Sequence, residues 1–445
     1  MRRSVLVVCV IAVLTLVITT LTSASEFKLA PETKEKIYFR GWQYKTHIVE
    51  DNVARYNKEM GGNVDYATIT GDYPSLMETQ LATGAQLDIL YGNPSSACRY
   101  FDGGWVLPID EMPNAAEIKA ALYPNLLKAW TYKGKLLGLP YFVTTRGAIH
   151  VNLKKYKEAG LTDADFPATW DELYDQLYVL RDRGFKKPFL PHWFAEWYGI
   201  NWAFIFEVMN RGGRVADPVT HKPLLTVDGP GGETLRDWKR IWKDGLVPQE
   251  VLTYRESDYL EAWGSGEYVM SPQQMYDLKK FNDPRYSKFA GYCSLLPYKG
   301  QSWGLIDSAL YIISNRKRSA AHTRDVMRFA SWYGYRDHKG EIFVGQRWMD
   351  ESMLFSGYKE VMESAKTKEG MKGSLSRSED YKAVLEVYAN TPYPDDVFNV
   401  VWADEFGSFL RETLANFLTQ DRPVDKTIQA INDKIVALNK KYGIK

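Results

Sequence analysis

The sequence predicts an α/β protein with parallel strands, on three observations. Strand-like and helix-like segments alternate at short pitch from residue 36 onward, and glycines stand where the helices must stop. The composition is that of an ordinary globular chain, with 445 residues, 45% hydrophobic and 25% charged. Alternation of this kind lays parallel strands side by side with helices as crossovers. The composition excludes a disordered chain, a collagen-like chain and a many-spanning membrane protein, and the length allows two or three domains.

Taken in order, residues 36–39 form the first expected strand and run into a loop at Arg40 to Tyr44. A helix follows, with Val49, Val53, Tyr56 and Met60 on one stripe and Gly61 and Gly62 as its stop. Residues 64–69 read as a strand, 70–74 as a loop and 75–83 as a short helix closed by Gly84. Residues 87–91 make a third strand, ending at Gly92, Asn93 and Pro94. Ligands of open α/β sheets bind at the carboxyl ends of the strands. Trp42, Tyr44, Asp72, Tyr73 and Asn93, on the three loops after these strands, are therefore expected on one rim.

Farther along, Tyr141, Val143 and residues 148–151 continue the strand pattern. Thr169 and Glu172 form a capping box for a helix striped by Leu173, Leu177 and Leu180. Residues 217–226 read as a hairpin, 232–244 as a helix stopped by Gly245, and 424–442 as an amphipathic helix carrying Ile428, Ile431, Ile435 and Leu438. No internal repeat or Pro/Ser-rich tether interrupts the chain, so any two lobes are joined by short crossovers.

The N-terminus has the order of a secretory signal: Arg2 and Arg3, an apolar run over residues 5–21, then small polar residues. Cleavage is expected after Ala24, giving a periplasmic protein; an uncleaved anchor is the alternative. Removal of residues 1–24 takes away two arginines and no acid. Cys98 and Cys293 remain, either as one disulfide or as two buried thiols. No cysteine stands at the cleavage site, so a lipid anchor is not expected.

A formal net charge of +1 offers no field to draw a polyanion, and nucleic acid is not an expected partner. No HExxH, CxxC pair, Walker loop, GxGxxG or GxSxG is present. The histidines are scattered without the i, i+4 spacing of helical metal ligands, so neither a metal nor another cofactor is expected. A pair of glycosidase carboxylates would leave no such trace in sequence, which keeps an enzyme open. Aromatic content is high, with 14 Trp, 29 Tyr and 19 Phe. Flat rings beside Asp, Asn, Gln or Arg suit a sugar, which has apolar faces and a rim of hydroxyls.

Ordered stretches across the chain then carry a likeness: YPSLMETQLATGAQLDILYGNP at 73–94, GGWVLPIDE at 103–111, YKGKLLGLPYF at 132–142, VNLKKYKEAGL at 151–161, FPATWDEL at 166–173, EAWGSGEYVMS at 261–271 and TPYPDDVFNVVW at 391–402. The sequence resembles the family 1 extracellular solute-binding proteins of bacterial ABC importers, the maltose-binding-protein-like group. It departs at Val151, where an aromatic is commoner, and over residues 334–372, which match nothing in the pattern.

The resemblance implies a two-lobe, type II periplasmic-binding-protein fold, each lobe a sheet flanked by helices with a hinge between. It implies a monomer that closes on a carbohydrate, delivers it to membrane permease subunits and makes or breaks no bond. The expected N-terminal lobe comprises residues 26–144 plus 306–348, and the C-terminal lobe 145–305 plus 349–445. Crossovers fall near residues 143–146, 303–307 and 348–354. Trp42, Tyr44, Asp72 and Asn93 are expected in the cleft from the first lobe, with Arg146 at the hinge. From the second come His192, Trp193, Gln274, Tyr276, Trp303 and Trp402. Trp42 and Trp402 are the expected stacking rings, and Asp72 the hydroxyl acceptor. The rival readings are an exported lyase or glycosidase, and a binder of an anion such as a uronate or glycerol phosphodiester held by Arg40, Lys45 and Arg146.

Overall fold

Three parallel strands open the fold: β1 (Ile37–Trp42) lies between β2 (Val64–Ile69) and β3 (Ile89–Gly92), with Phe39 opposite both Tyr66 and Ile89. The computed structural model describes residues 30–444, and the expected export signal lies outside the described residues. The further strands are β4 (Val106–Leu107), β5 (Thr131–Tyr132), β6 (Lys135–Leu136), β7 (Leu139–Asn152), β8 (Met270–Gln274), β9 (Cys293–Leu295) and β10 (Leu305–Ser314). Among the described residues, eight of them share one sheet in the order β2-β1-β3-β10-β7-β8, with β4 on β10 and β9 on β7. A separate hairpin pairs β5 with β6.

The helices begin and end where local chemistry dictates. Thr46–Met60 buries Val49, Val53, Tyr56 and Met60 and stops at Gly61, whose φ of 65° is the left-handed conformation glycine adopts without strain. Tyr73–Thr83 starts two residues before the expected position because Asp72 caps it and Pro74 sits in its first turn. At Trp170–Asp182 the capping box is displaced: Thr169 accepts from the Glu172 N–H at 3.2 Å, but the Glu172 carboxylate accepts from Ala168 N at 2.7 Å. The hairpin expected at 217–226 is present in minimal form, with Asp217 N donating to Lys222 O at 2.8 Å and Leu224 N to Val215 O at 3.0 Å, around a side-chain-capped turn. Asp217 Oδ1 takes the N–H groups of Val219 and Thr220 at 3.0 and 2.7 Å, and one isolated bridge joins Ala216 to Pro223. Pro218 and Pro223 donate nothing to a ladder, so no strand propagates. The final helix, Val424–Lys441, buries the anticipated isoleucines and Leu438. The unmatched stretch 334–372 holds helices Phe343–Ser352, Lys359–Met362 and Ala365–Lys372.

Aromatic packing runs through the one continuous core of the described residues. Beside β1 and β3, Phe39 meets the rings of Tyr66, Tyr91, Tyr311, Phe329 and Tyr333 at centroid separations of 5.1 to 6.2 Å. Elsewhere Trp193 packs on Trp238 at 4.8 Å, and Trp170 on Trp303 at 5.3 Å. Cys98 and Cys293 are both buried and free, which resolves the two sequence alternatives in favour of thiols.

The sheet changes partners within one strand. The first half of β7 pairs antiparallel with β10, from Leu139 opposite Tyr311 to Arg146 opposite Leu305. Its second half pairs with β8 and β9, and the register slips between Arg146 and Ala148. Gly147, at the slip, has φ 97°. Across from it a Cβ on Gly304 would stand 2.1 Å from the Arg146 carbonyl oxygen, closer than any packing allows. Asn210 fixes the segment before Gly304: its Oδ1 accepts from Trp303 N at 3.0 Å and its Nδ2 donates to Gly304 O at 2.9 Å. That clamp holds Trp303 at φ 68°, a costly conformation for a bulky residue.

Gly304→Ala is expected to destabilise the protein by about 3 kcal/mol in chemical denaturation, because backbone must move to admit the methyl group. Gly84→Ala, at φ 67° with nothing near its Cβ position, should cost only about 1 kcal/mol.

Candidate functional site

A cavity of about 490 Å³ opens beyond the carboxyl ends of β2 and β3. Asp72 and Asn93, both on its lining, owe their placement to the same device. Each ends a strand-to-helix loop and caps the next helix: Asp72 accepts from Ser75 N at 3.4 Å and Ser75 Oγ at 2.6 Å, Asn93 from Ser96 N at 2.7 Å. Tyr73, also lining the cavity, ties the strand ends together. Its hydroxyl donates to Arg40 O at 2.9 Å and accepts from Tyr91 N at 2.8 Å.

The opposite wall is aromatic. Helix Ile200–Asn210 is buried from Ile200 through Val208 and presents Asn201, Trp202 and Ile205 to the cavity. Trp202 packs on Phe398 at 4.8 Å, and Trp197 meets Trp202 edge-on at 5.5 Å while remaining 56% exposed. Buried rings orient the exposed one, which leaves an indole face open for stacking. Asn201 is 1% exposed; its Nδ2 donates to Trp197 O, and its Oδ1 has no partner among the described residues.

Ile306, Asp307 and Ser308 of β10 form the floor. Asp307 accepts from Arg146 Nε at 2.9 Å, and Arg146 also reaches Glu256 at 3.4 Å. Its guanidinium lies 4.3 Å from the Tyr198 ring centroid and 5.6 Å from that of Trp202. A charge buried this deeply is tolerable only when paired in this way. At the mouth, Arg99 joins Asp404 at 2.9 Å to Glu78 at 2.8 Å, while Arg411 lines the cavity without an ion pair among the described residues.

The residues singled out in the sequence fall into three places. Asp72 and Asn93 line the cavity, and Arg146 stands behind Asp307. Gln274 is paired opposite Arg146 in the sheet, and Tyr276 follows it; these neighbour the site without lining the cavity. Trp42 is half-buried against Tyr73, Tyr91 and Tyr141, and Tyr44 stacks on Trp348 at 6.2 Å. The others sit in packing. Trp193 is buried on Trp238, and Trp303 on Trp170. Trp402 donates from Nε1 to Asn439 Oδ1 at 2.9 Å beside His221. His192 lies against the Tyr198 carbonyl at 3.1 Å, and burial, helped by the Arg146 charge, pushes its pKa down to about 3, so the ring is neutral. Of the cations named for an anionic ligand, Arg40 is paired with Asp65 at 2.9 Å and Lys45 donates to Glu351 O at 2.8 Å. Trp197, Asn201, Trp202, Asp307, Phe398 and Arg411 were not anticipated. For Trp197 and Trp202 the dense run of rings around residues 193–202 was the available signal.

Among the described residues, no group of three or more His, Cys, Asp or Glu could hold a metal ion, and no helix is long and apolar enough to cross a membrane. The family model for bacterial extracellular solute-binding proteins matches residues 45–334. The chain belongs to that family. Comparison of this solute-binding protein with curated sequences returns no match. Its fold is shared with solved structures at low identity. The cyclic α-maltosyl-1,6-maltose binding protein of Arthrobacter globiformis superposes with TM-score 0.72 at 16% identity, covering 92% of this chain and 100% of its own. A sugar-binding protein of Xanthomonas citri gives 0.71 at 14% identity, over 92% and 99%. An ABC transporter solute-binding protein of Agrobacterium vitis, solved with bound D-mannitol, gives 0.66 at 16%, again over 92% and 99%. These establish the type II, two-lobe α/β fold, and the family and these neighbours are binding proteins.

One ionisable group near the site is expected to set the pH dependence of stability. Asp277 is 7% exposed and accepts no hydrogen bond among the described residues; burial, with the nearby charge of Glu256, raises its pKa to about 7. The unfolded chain ionises this group near 3.9, so the folded state holds the proton more tightly. Its contribution is thus undiminished at acid pH, falls as pH rises from about 4 to about 7, and is level above. Asp277→Asn should raise the melting temperature by roughly 5 °C at pH 8 and leave it unchanged near pH 4, read by scanning fluorimetry across pH.

Proposed function

We propose that this solute-binding protein is the periplasmic capture subunit of an ABC importer and that it carries a carbohydrate, held in the 490 Å³ cavity, to a membrane permease. The observation that carries this reading is the pairing of an open indole, Trp197, with a rim of helix-capping polar side chains at Asp72 and Asn93. An apolar sugar face and its hydroxyl edge need those two surfaces together. The ligands named for proteins of similar fold, cyclic α-maltosyl-1,6-maltose and D-mannitol, are likewise rich in hydroxyls.

In this reading the lobes are residues 26–144 plus 306–348 and residues 145–305 plus 349–445, with export directed by residues 1–24 and cleavage after Ala24. On this division Asp72, Asn93 and Arg99 belong to one lobe and Trp197, Asn201 and Asp404 to the other. The Arg99 to Asp404 ion pair then spans the mouth, and a ligand touching both walls stabilises the closed form. The protein works as a monomer and releases its cargo unaltered.

A thermal-shift screen against mono-, di- and oligosaccharides tests this reading, since a ligand bound only by the native state raises the melting temperature. At least one carbohydrate should give a saturable shift, with no product formed on prolonged incubation. Trp197→Ala should weaken that ligand by about three- to tenfold in calorimetry while leaving the unliganded melting temperature in place. Turnover of an oligosaccharide at catalytic protein concentrations would refute the reading.

A further inference from the structure

The next step rests on the cavity being the ligand site. We propose that the solute carries a cationic amine, so that the preferred cargo is an aminated sugar or polyol rather than a neutral one.

The first ground is charge. Asp72, Asp307 and Asp404 line the cavity, and Glu78 and Glu256 stand directly behind, sharing the arginines that Asp404 and Asp307 use. Against these five carboxylates are three guanidiniums, Arg99, Arg146 and Arg411, and no lysine lines the cavity. Arg99 and Arg146 are each divided between two acids, so neither pair neutralises its surroundings, and Asp72 has no cation of its own among the described residues. Even with Arg411 unpaired and counted in full, the walls remain acidic.

The second ground is an unsatisfied acceptor. Asn201 is 1% exposed and lines the cavity; one N–H of its Nδ2 goes to Trp197 O at 2.7 Å, and its Oδ1 accepts nothing among the described residues. A buried acceptor of this kind calls for a donor. An ammonium is all donor, and a donor with positive charge answers the missing hydrogen bond and the excess carboxylate together. The third ground is the exposed Trp197 indole beside Asn201. Its face attracts a cation as readily as it stacks on a sugar ring.

The test uses the mature full-length protein and matched pairs: glucosamine with glucose, galactosamine with galactose, mannosamine with mannose, and the β-1,4 dimers of glucosamine and of glucose. Affinities are measured by calorimetry at low and high salt, and repeated with Asp72→Asn, which removes the charge but keeps the helix cap, Asn being as good a cap as Asp. The amine should bind about tenfold tighter than its neutral counterpart in at least one pair, and that advantage should shrink with added salt and several-fold more in Asp72→Asn. Neutral members that bind as well or better would overturn the amine inference and leave the carbohydrate reading standing. An amine advantage insensitive to salt and to Asp72→Asn would also overturn it. Absence of binding by every member of every pair would overturn the inference and count against the carbohydrate reading as well.

Discussion

The structure turns on the point where backbone presses against backbone at Gly147 and Gly304. There β7 leaves β10 and takes up β8, and the close approach lets Arg146 project to Asp307 and Glu256 from the seam. Side chains cannot fill this place, so both glycines are obligatory in the sense that matters physically: any Cβ at Gly304 would overlap the Arg146 carbonyl. The sheet is thereby continuous in hydrogen bonding yet slips register between Arg146 and Ala148. Asn210 holds the neighbouring turn, and the same helix supplies Asn201 and Trp202 to the cavity. The register slip and the cavity wall are therefore linked through one helix.

Electrostatics reinforce that link. Arg146 pairs across to β10 through Asp307 and toward helix Glu256–Gly264 through Glu256, while its planar face lies on Tyr198. A guanidinium with this many partners fixes the floor of the cavity relative to its aromatic wall. His192, held neutral close by, adds no competing charge.

Much of the fold was legible because it is written in short-range chemistry. The stripe at Val49, Val53, Tyr56 and Met60 and the left-handed stops at Gly61 and Gly84 each follow from residues a few positions apart. The same locality brought Asp72 and Asn93 to one rim, since parallel strands must end on the same side. Where the reading rested on residue type alone it carried less. Trp193, Trp303 and Trp402 are as aromatic as Trp197, and only tertiary packing tells which ring keeps a free face. The turn at residues 217–226 shows the opposite limit: the hairpin read from the sequence is there, but two prolines keep it to a single bridge.

The free thiols carry one last consequence. Cys98 sits in helix Pro94–Asp102 and Cys293 in β9, each enclosed by its own surroundings and unlinked to the other. Among the described residues no disulfide staples the fold, and folding of these residues draws on no oxidant. The described fold is thus insensitive to the redox poise around it, and the withdrawal of both sulfurs from solvent guards it from mispairing with the thiols of other chains.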